Sequence, residues 1–195
     1  MNLYIADNND KYYKIIQMEK EYKDGRHFPI NEVVESDIKI DLKAKDYKKI
    51  GGFFISDYKN IFRWIVRGDT LCEVIIPSDT RIYRVEGNVK VFVSNKIILV
   101  NPLKLNDDNV TVLYNNSNLP ENEYFRALAA CSIKGYIKTA TRLIKEKINR
   151  QNIDVALTEF IEFCERRNIE FGIDTLHINS VKLVLDMLNK RKIRN

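Results

Sequence analysis

The sequence is poor in the residue types from which metal sites and disulfides are built. Its 195 residues include three cysteines and two histidines, with no pair of cysteines spaced as in a zinc-binding motif. Cys72, Cys131 and Cys164 are odd in number, far apart and set among apolar neighbours, a pattern that predicts buried free thiols in a reducing compartment. We therefore expect no structural metal and no cofactor held by these residues.

Long apolar segments are also missing. No stretch approaches the roughly eighteen consecutive apolar residues that a membrane-spanning helix requires. The N-terminal sequence MNLYIADNNDKYY lacks the basic segment followed by an apolar one that marks a secretory signal. The sequence therefore predicts a soluble intracellular protein with no membrane partner.

The chain carries a small excess of positive charge, because 32 lysines and arginines face 27 aspartates and glutamates. Residues 1–50 are balanced, with ten basic and ten acidic side chains. Four of the five excess charges lie in the last six residues, at Lys190, Arg191, Lys192 and Arg194. A basic tail of this kind can bind nucleic acid or simply keep a chain in solution, so nucleic-acid binding is an alternative function and not the favoured one.

Two different hydrophobic patterns divide the chain. Alternating apolar residues and short β-branched runs predict strands at 2–6, 12–18, 38–42, 53–55, 71–76, 81–85, 89–93 and 96–100, the first two as a hairpin. Helical spacing replaces this pattern from Asn106 onward. We expect an α+β fold with two domains: residues 1–105, a mixed or antiparallel sheet crossed by a helix, and residues 106–195, an α-helical domain.

The stretch 50–87 sits at the centre of the predicted sheet domain. Ser56 is expected to cap a helix that ends at a left-handed Gly68, with an apolar stripe formed by Tyr58, Ile61, Phe62 and Ile65. Gly51 and its neighbour Gly52 precede a strand and do not open a helix, which indicates close backbone packing and not a phosphate loop.

Residues that typically begin or end helices divide the second domain into helices. Asp107 or Asp108 is expected to cap a first helix that ends near Tyr114, Pro120 to open the second, and Gly135 to separate the second from the third. Asn152 is expected to cap the fourth helix, and Asp174 or Thr175 to start the last.

Within these helices, the segment from Ala127 to Ile137, ALAACSIKGYI, resembles the paired helices of an ankyrin repeat, with Leu143 and Ile144 closing the pair. A second copy begins at Ala156 and lacks a glycine at the matching turn, having Asn168 or Gly172 instead. An ordinary helical bundle is the alternative interpretation, since two repeats are too few for a free-standing solenoid.

A longer resemblance covers Gly51 to Ile153. The motifs GGFFISD, NIF, NKIIL and LPE, in this order, are similar to the N-terminal domain of ankyrin-repeat proteins encoded by giant DNA viruses of the mimivirus type. The resemblance implies a viral protein acting in the host cytoplasm or carried in the virion. The chain lacks the long ankyrin array of that family, so a role based on such an array does not transfer.

One alternative function is enzymatic. The aromatic strand, short helix and acid-bearing strand resemble, loosely, an ADP-ribosyltransferase fold, in which Phe54 or Tyr58 would stack on the nicotinamide of NAD⁺. Glu73, flanked by apolar residues, would then stabilise the positive charge that develops at the ribose. The other interpretation of Glu73 is an acid at the sheet rim paired with Arg63, Arg67 or Arg84.

The favoured function is a non-enzymatic module that binds a host or viral protein. Trp64 is the candidate anchor, because tryptophan dominates many interfaces, although a half-buried core position is the competing interpretation. Lys138 and Arg142, on the third predicted helix, complete the predicted partner-binding surface.

Overall fold

A computed structural model describes residues 2–6, 11–17, 28–172 and 174–194, without the side chains of 169–171 and 194. Contacts divide the chain into two units. The sheet unit comprises Met1–Ile61 and Arg67–Leu105, and the helical unit comprises Phe62–Val66 and Asn106–Asn195. The short segment Phe62–Val66 therefore packs with the helices, although it lies within the first predicted domain.

The sheet unit is built on one eight-stranded antiparallel sheet. Its strands are β1 (Leu3–Ile5), β2 (Tyr12–Ile16), β3 (Val33–Glu35), β4 (Phe53–Ser56), β5 (Thr70–Ile75), β6 (Ile82–Val85), β7 (Val91–Ser94) and β8 (Lys96–Lys104). They are ordered β1-β6-β7-β4-β2-β5-β8-β3. With helices following in the C-terminal half, the α+β fold class is confirmed.

The predicted opening hairpin is wrong. Strand β1 pairs with β6, while β2 pairs with β4 and β5. Tyr12 and Ile16 are buried, so β2 needs neighbours on both edges to bury its apolar residues and satisfy its backbone. The predicted turn at residues 7–10 lies outside the described residues.

The predicted strand at residues 38–42 is also wrong, although its alternation is regular. The segment is a loop whose Ile38 carbonyl accepts from Gly52 N at 3.1 Å and whose Asp41 N donates to Ile50 O at 2.7 Å. A Cβ on Gly51, where φ is +78°, would lie 2.4 Å from the Lys39 carbonyl oxygen. The close backbone packing expected at this glycine is therefore confirmed.

The helix predicted to cross the sheet is a 3-10 helix, Ile61–Arg67, and Ser56 ends strand β4 instead of capping it. Asp57 organises the preceding turn, because its Oδ1 accepts from Asn60 N at 2.9 Å. Gly68 is not left-handed: its φ is −174°, which any residue can adopt. A glycine is required there because a Cβ would lie 1.9 Å from the Ile16 carbonyl oxygen.

Strand β8 runs past the predicted stop at residues 101 and 102. Its register with β5 shifts between Leu71 and Glu73, and Asn101 adopts a positive φ of 51°. A bulge of this kind accommodates Pro102, whose missing N–H would otherwise leave a gap in the ladder. One face of the sheet carries the core, centred on Tyr12, Ile16, Phe28, Phe53, Ile55, Cys72, Val74, Phe92, Ile97 and Leu99.

The helical unit contains α1 (Asp107–Asn115), α2 (Glu121–Lys134), α3 (Ile137–Lys147), α4 (Ile153–Phe171) and α5 (Asn179–Arg194). Helix α2 contacts α3, α4 and α5, and α3 also contacts α1 and α5. Alanines at 127, 129 and 130 of α2 are fully buried and allow this close packing.

Most helices lie where their signals predict them, but two predicted caps are wrong. Asn106, and not Asp107 or Asp108, caps α1, and Asn152 makes no side-chain capping bond at α4. Gly135 ends α2, as predicted, and adopts the left-handed conformation, with φ of 77°.

Gly172 likewise ends α4 in the left-handed conformation. This helix is 19 residues long and continues through the position at which a second ankyrin-like repeat would have its turn between helices. Asp174 caps the 3-10 turn Thr175–His177, and the last helix begins only at Asn179. No helix in the described ranges combines the length and the hydropathy needed to cross a membrane.

Candidate functional site

The strands bring Tyr13 and Glu73 together on the face of the sheet opposite the core. The two residues are direct partners across β2 and β5, so their side chains point to the same side. The ring of Tyr58 meets that of Tyr13 edge to face, with centroids 5.1 Å apart and planes at 64°. Burial, followed by the negative charge of Glu73 and the neighbouring Tyr58, raises the pKa of Tyr13, so its hydroxyl stays protonated at neutral pH.

Glu73 is held by an amide and not by an arginine. Asn101, at the bulge of β8, donates from Nδ2 to Glu73 Oε2 at 3.1 Å. Within the described residues Glu73 forms no ion pair, and Arg63, one of its expected partners, binds Glu123 at 3.3 Å instead. Glu73 is partly exposed, and Asn101 is the one hydrogen-bond partner of its carboxylate among the described residues.

Phe54, the third residue of the enzymatic alternative, has a different neighbour. Its ring stacks on that of Tyr47, with centroids 5.0 Å apart and planes at 20°. Its carbonyl oxygen accepts from the buried Lys14 Nζ at 3.3 Å. Tyr58 and Glu73 thus both neighbour Tyr13, whereas the ring of Phe54 packs on Tyr47.

An exposed apolar row continues from Glu73 across three strands. Ile75 of β5 is the direct partner of Ile98 of β8, which is in turn the partner of Val33 of β3. Ile75 is 51% exposed, Val33 is 57% exposed, and Ile98 between them is partly exposed. Because Ile75 lies two residues from Glu73, the row and the carboxylate share one side of the sheet.

We call this surface the Glu73 face; its members are Tyr13, Tyr58, Glu73, Ile75, Ile98 and Val33. Sequence reasoning identified Tyr58 and Glu73 and missed the rest. The β-branched residues of Val33–Glu35 and of β8 were the signal from which the other members could have been found. Which of these residues meet depends on long-range strand pairing, and a single sequence does not reveal that pairing.

Carboxylates border the Glu73 face. Lys96 lies at its edge and binds two of them, Asp79 at 3.3 Å and Glu35 at 3.8 Å. Hydrogen bonds from Thr80 and then from Lys96 lower the pKa of Asp79, so this carboxylate is ionised at neutral pH. Around Lys96, two carboxylates therefore face one lysine.

Trp64 lies in the 3-10 helix Ile61–Arg67, within the segment that packs with the helices. It is partly buried, and the guanidinium of Arg63 lies 4.8 Å from its ring centroid. The same Arg63 binds Glu123 of α2, which also binds Arg126 at 3.2 Å. The tryptophan is therefore held next to a network of charges inside the helical unit.

Lys138 and Arg142 share one face of α3, four residues apart, and each binds an acid of the same unit. Lys138 Nζ lies 2.5 Å from Asp108, and Arg142 Nε lies 2.6 Å from Glu146. The guanidinium of Arg142 also lies 5.8 Å from the ring centroid of Tyr114. The helix brings these two predicted partner-binding residues together, while Trp64 belongs to another element.

The basic C-terminal residues belong to helix α5 and not to a frayed tail. Lys190 binds Asp186 within the helix at 2.6 Å, and Lys192 binds Asp154 of α4 at 2.6 Å. Arg191 is partly buried, and the side chain of Arg194 lies outside the described residues. A nucleic acid would have to compete with carboxylates for both lysines.

The three cysteines are buried free thiols, as predicted. Burial raises the pKa of Cys72 to about 11 and that of Cys164 to about 12, so neither thiol is ionised at neutral pH. In the part of the chain that the structure describes, no three of the His, Cys, Asp and Glu residues form a group that could hold a metal ion.

Comparisons with protein-family models, with curated proteins and with solved structures find no match to this chain.

Proposed function

We propose that this protein is a non-enzymatic protein-interaction module that binds its partner through the Glu73 face. The proposal rests on the exposed row of Val33, Ile98 and Ile75. These three β-branched residues are direct partners across strands β3, β8 and β5. Contiguous exposed apolar groups on a folded protein are typical of interaction surfaces.

The energy available from this row suits a protein partner. Ile75 and Val33 each expose about half of their surface. Because full burial of a Val or Ile side chain contributes about 1.5–3 kcal/mol, covering the exposed half contributes about 1 kcal/mol for each residue. A row that runs across three strands fits an apolar segment of another chain better than a small ligand, which needs a concave site.

The helical unit supports the proposal as a scaffold. Helices α2 and α3 contact each other, and so do α4 and α5, as the helices within paired-helix repeats do, which agrees with the ankyrin-like resemblance of α2 and α3. In this interpretation the protein is related to the ankyrin-repeat proteins of giant viruses and acts in the host cytoplasm or the virion, with a host or viral protein as partner.

The test is a selection of peptides from a random displayed library on the whole protein. Peptides recovered on the wild type are then titrated against Ile75→Lys and against Val155→Lys. Val155 is the matched control, because it is an apolar side chain 55% exposed on α4 of the helical unit. We expect Ile75→Lys to weaken binding at least tenfold and Val155→Lys to leave it unchanged.

Three further variants test the surface predicted from the sequence alone. Trp64→Ala, Lys138→Glu and Arg142→Glu are titrated with the same peptides, and we expect affinity within about twofold of the wild type. Equal binding by Ile75→Lys together with a loss for these three variants would move the interaction surface to the helical unit. Failure to recover any peptide would contradict the proposal as a whole.

One observation favours the enzymatic alternative, namely that Tyr13 links Tyr58 to Glu73 on a partly exposed surface. In that case NAD⁺ raises the melting temperature of the protein, and Glu73→Gln abolishes turnover without unfolding. The absence of any thermal shift at millimolar NAD⁺ would remove this alternative.

A further inference from the structure

We infer that the partner segment presents a lysine or arginine side chain to the corner formed by Tyr13, Tyr58 and Glu73. The inference rests on the proposed function and names the chemistry of the partner: an extended, apolar segment with one basic side chain beside its apolar residues. Three features of the Glu73 face lead to it.

The first feature is the geometry of the two rings. Tyr13 and Tyr58 meet at 64° with centroids 5.1 Å apart, so they form two walls of a corner. A cation within about 6 Å of an aromatic ring face is attracted by the negative charge of the π system. Arginine adds a planar group that also stacks on such a ring.

The second feature is the carboxylate beside the rings. Glu73 lies directly across the ladder from Tyr13, and Asn101 satisfies one of its oxygens. Among the described residues it forms no ion pair, whereas Glu123, Glu146 and Glu159 each bind an arginine. The Glu73 carboxylate is therefore free to bind a cation from another molecule.

The third feature is the charge of the border. Asp79 and Glu35 both bind Lys96 at the edge of the face, so this lysine is neutralised and one carboxylate remains in excess. Together with Glu73, these carboxylates favour a basic partner over an acidic one. Opposite charges of this kind determine which partners bind and how fast they associate.

The strand geometry also sets the spacing within the partner. Glu73 and Ile75 are two residues apart on β5, which corresponds to about 6.6 Å. An extended segment lying along β5 therefore places its basic residue two positions from an apolar, β-branched residue. The motif expected in ligands is a lysine or arginine with valine, isoleucine or leucine at the second position on one side.

The experiment is a second selection from the same displayed library. Peptides are selected separately on the wild type, on Glu73→Lys and on the control variant Glu165→Gln, which changes an exposed carboxylate of α4. We expect lysine and arginine to be enriched on the wild type and on Glu165→Gln, and aspartate and glutamate to be enriched on Glu73→Lys.

Titrations then measure the contribution of the charge. For the best basic peptide we expect Glu73→Gln to weaken binding about tenfold, because a charge-assisted hydrogen bond contributes on the order of 1.4 kcal/mol. Replacing the basic residue of the peptide by citrulline or norleucine should weaken binding to the wild type by the same factor and leave binding to Glu73→Gln unchanged.

The outcomes separate this inference from the proposed function. Peptides that lose affinity for Ile75→Lys but show no basic enrichment overturn the inference and leave the Glu73 face as the interaction surface. Peptides that bind Ile75→Lys as tightly as the wild type overturn both. If sedimentation shows that the wild type dimerises and Ile75→Lys is monomeric, the face is covered by a second copy and the inference fails.

Discussion

The two units of this protein differ in how their exposed apolar and charged side chains are arranged. The sheet unit exposes apolar residues in a row next to a carboxylate that has no ion pair among the described residues. The helical unit instead binds its charged groups to one another, as in the pairs of Lys138 with Asp108 and Arg126 with Glu159. The difference indicates which surface is available to a partner.

Polar side chains of the helical unit fix how its helices pack. Asp107, in the first turn of α1, accepts from the backbone N–H groups of Lys138 and Thr139 at 2.7 and 2.9 Å. It therefore caps the N-terminus of α3, which has no capping side chain of its own. Asn152, just before α4, instead links two other helices: its Nδ2 donates to Glu121 of α2 at 2.5 Å and to the Lys147 carbonyl of α3 at 2.9 Å.

The largest effect is expected in the sheet unit, from Gly68→Ala. A Cβ at this position would lie 1.9 Å from the Ile16 carbonyl oxygen, which accepts from Asp69 N at 3.0 Å. Because backbone atoms must move, we expect a loss of about 3–5 kcal/mol in the free energy of unfolding, measured by urea denaturation.

The matched control for this variant is Gly135→Ala in the helical unit. Gly135 has a φ of 77° but open space around the position of a Cβ. The substitution should cost only the left-handed conformation, about 1–2 kcal/mol. Equal losses for the two variants would contradict the steric role of Gly68.

A smaller effect is expected from Asp107→Ala, which tests the helix cap. Two backbone N–H groups of α3 and the buried Thr139 hydroxyl lose the carboxylate, so we expect a loss of about 2 kcal/mol. Asp108→Ala is the control, since this neighbour is exposed and only pairs with Lys138; its cost should stay within about 0.5 kcal/mol. A similar cost for both would exclude a capping role.

The smallest effect is expected from Glu146→Gln on α3. Hydrogen bonds from Arg142 and then Tyr114 lower the pKa of Glu146 below its usual 4.5. A lowered pKa in the folded state gives stability that is present above pH 4.5 and is lost as the pH falls through the folded-state value. We expect wild type and variant to differ by a few tenths of a kcal/mol at pH 7 and to converge in acid. Urea titrations across this range measure the difference, and a constant difference would contradict the assignment.

The outcome of the sequence predictions follows the range of the interactions involved. Local signals, such as Gly135 after α2 and the apolar run of β5, gave the elements correctly because a helix or a strand depends mainly on neighbouring residues. Contacts between residues far apart in the chain determine that β2 pairs with β5, which the sequence did not predict. Such contacts also explain why residues 38–42 form a loop and not the predicted strand. The candidate site was found only in part for the same reason.

A methyl NMR titration with a selected peptide shows directly whether a partner covers the Glu73 face. We expect the methyl signals of Val33, Ile75 and Ile98 to shift on binding, while those of Val155 and Leu183, which are exposed on α4 and α5, stay in place. Shifts confined to Val155 and Leu183, with the three sheet residues unchanged, would contradict this expectation.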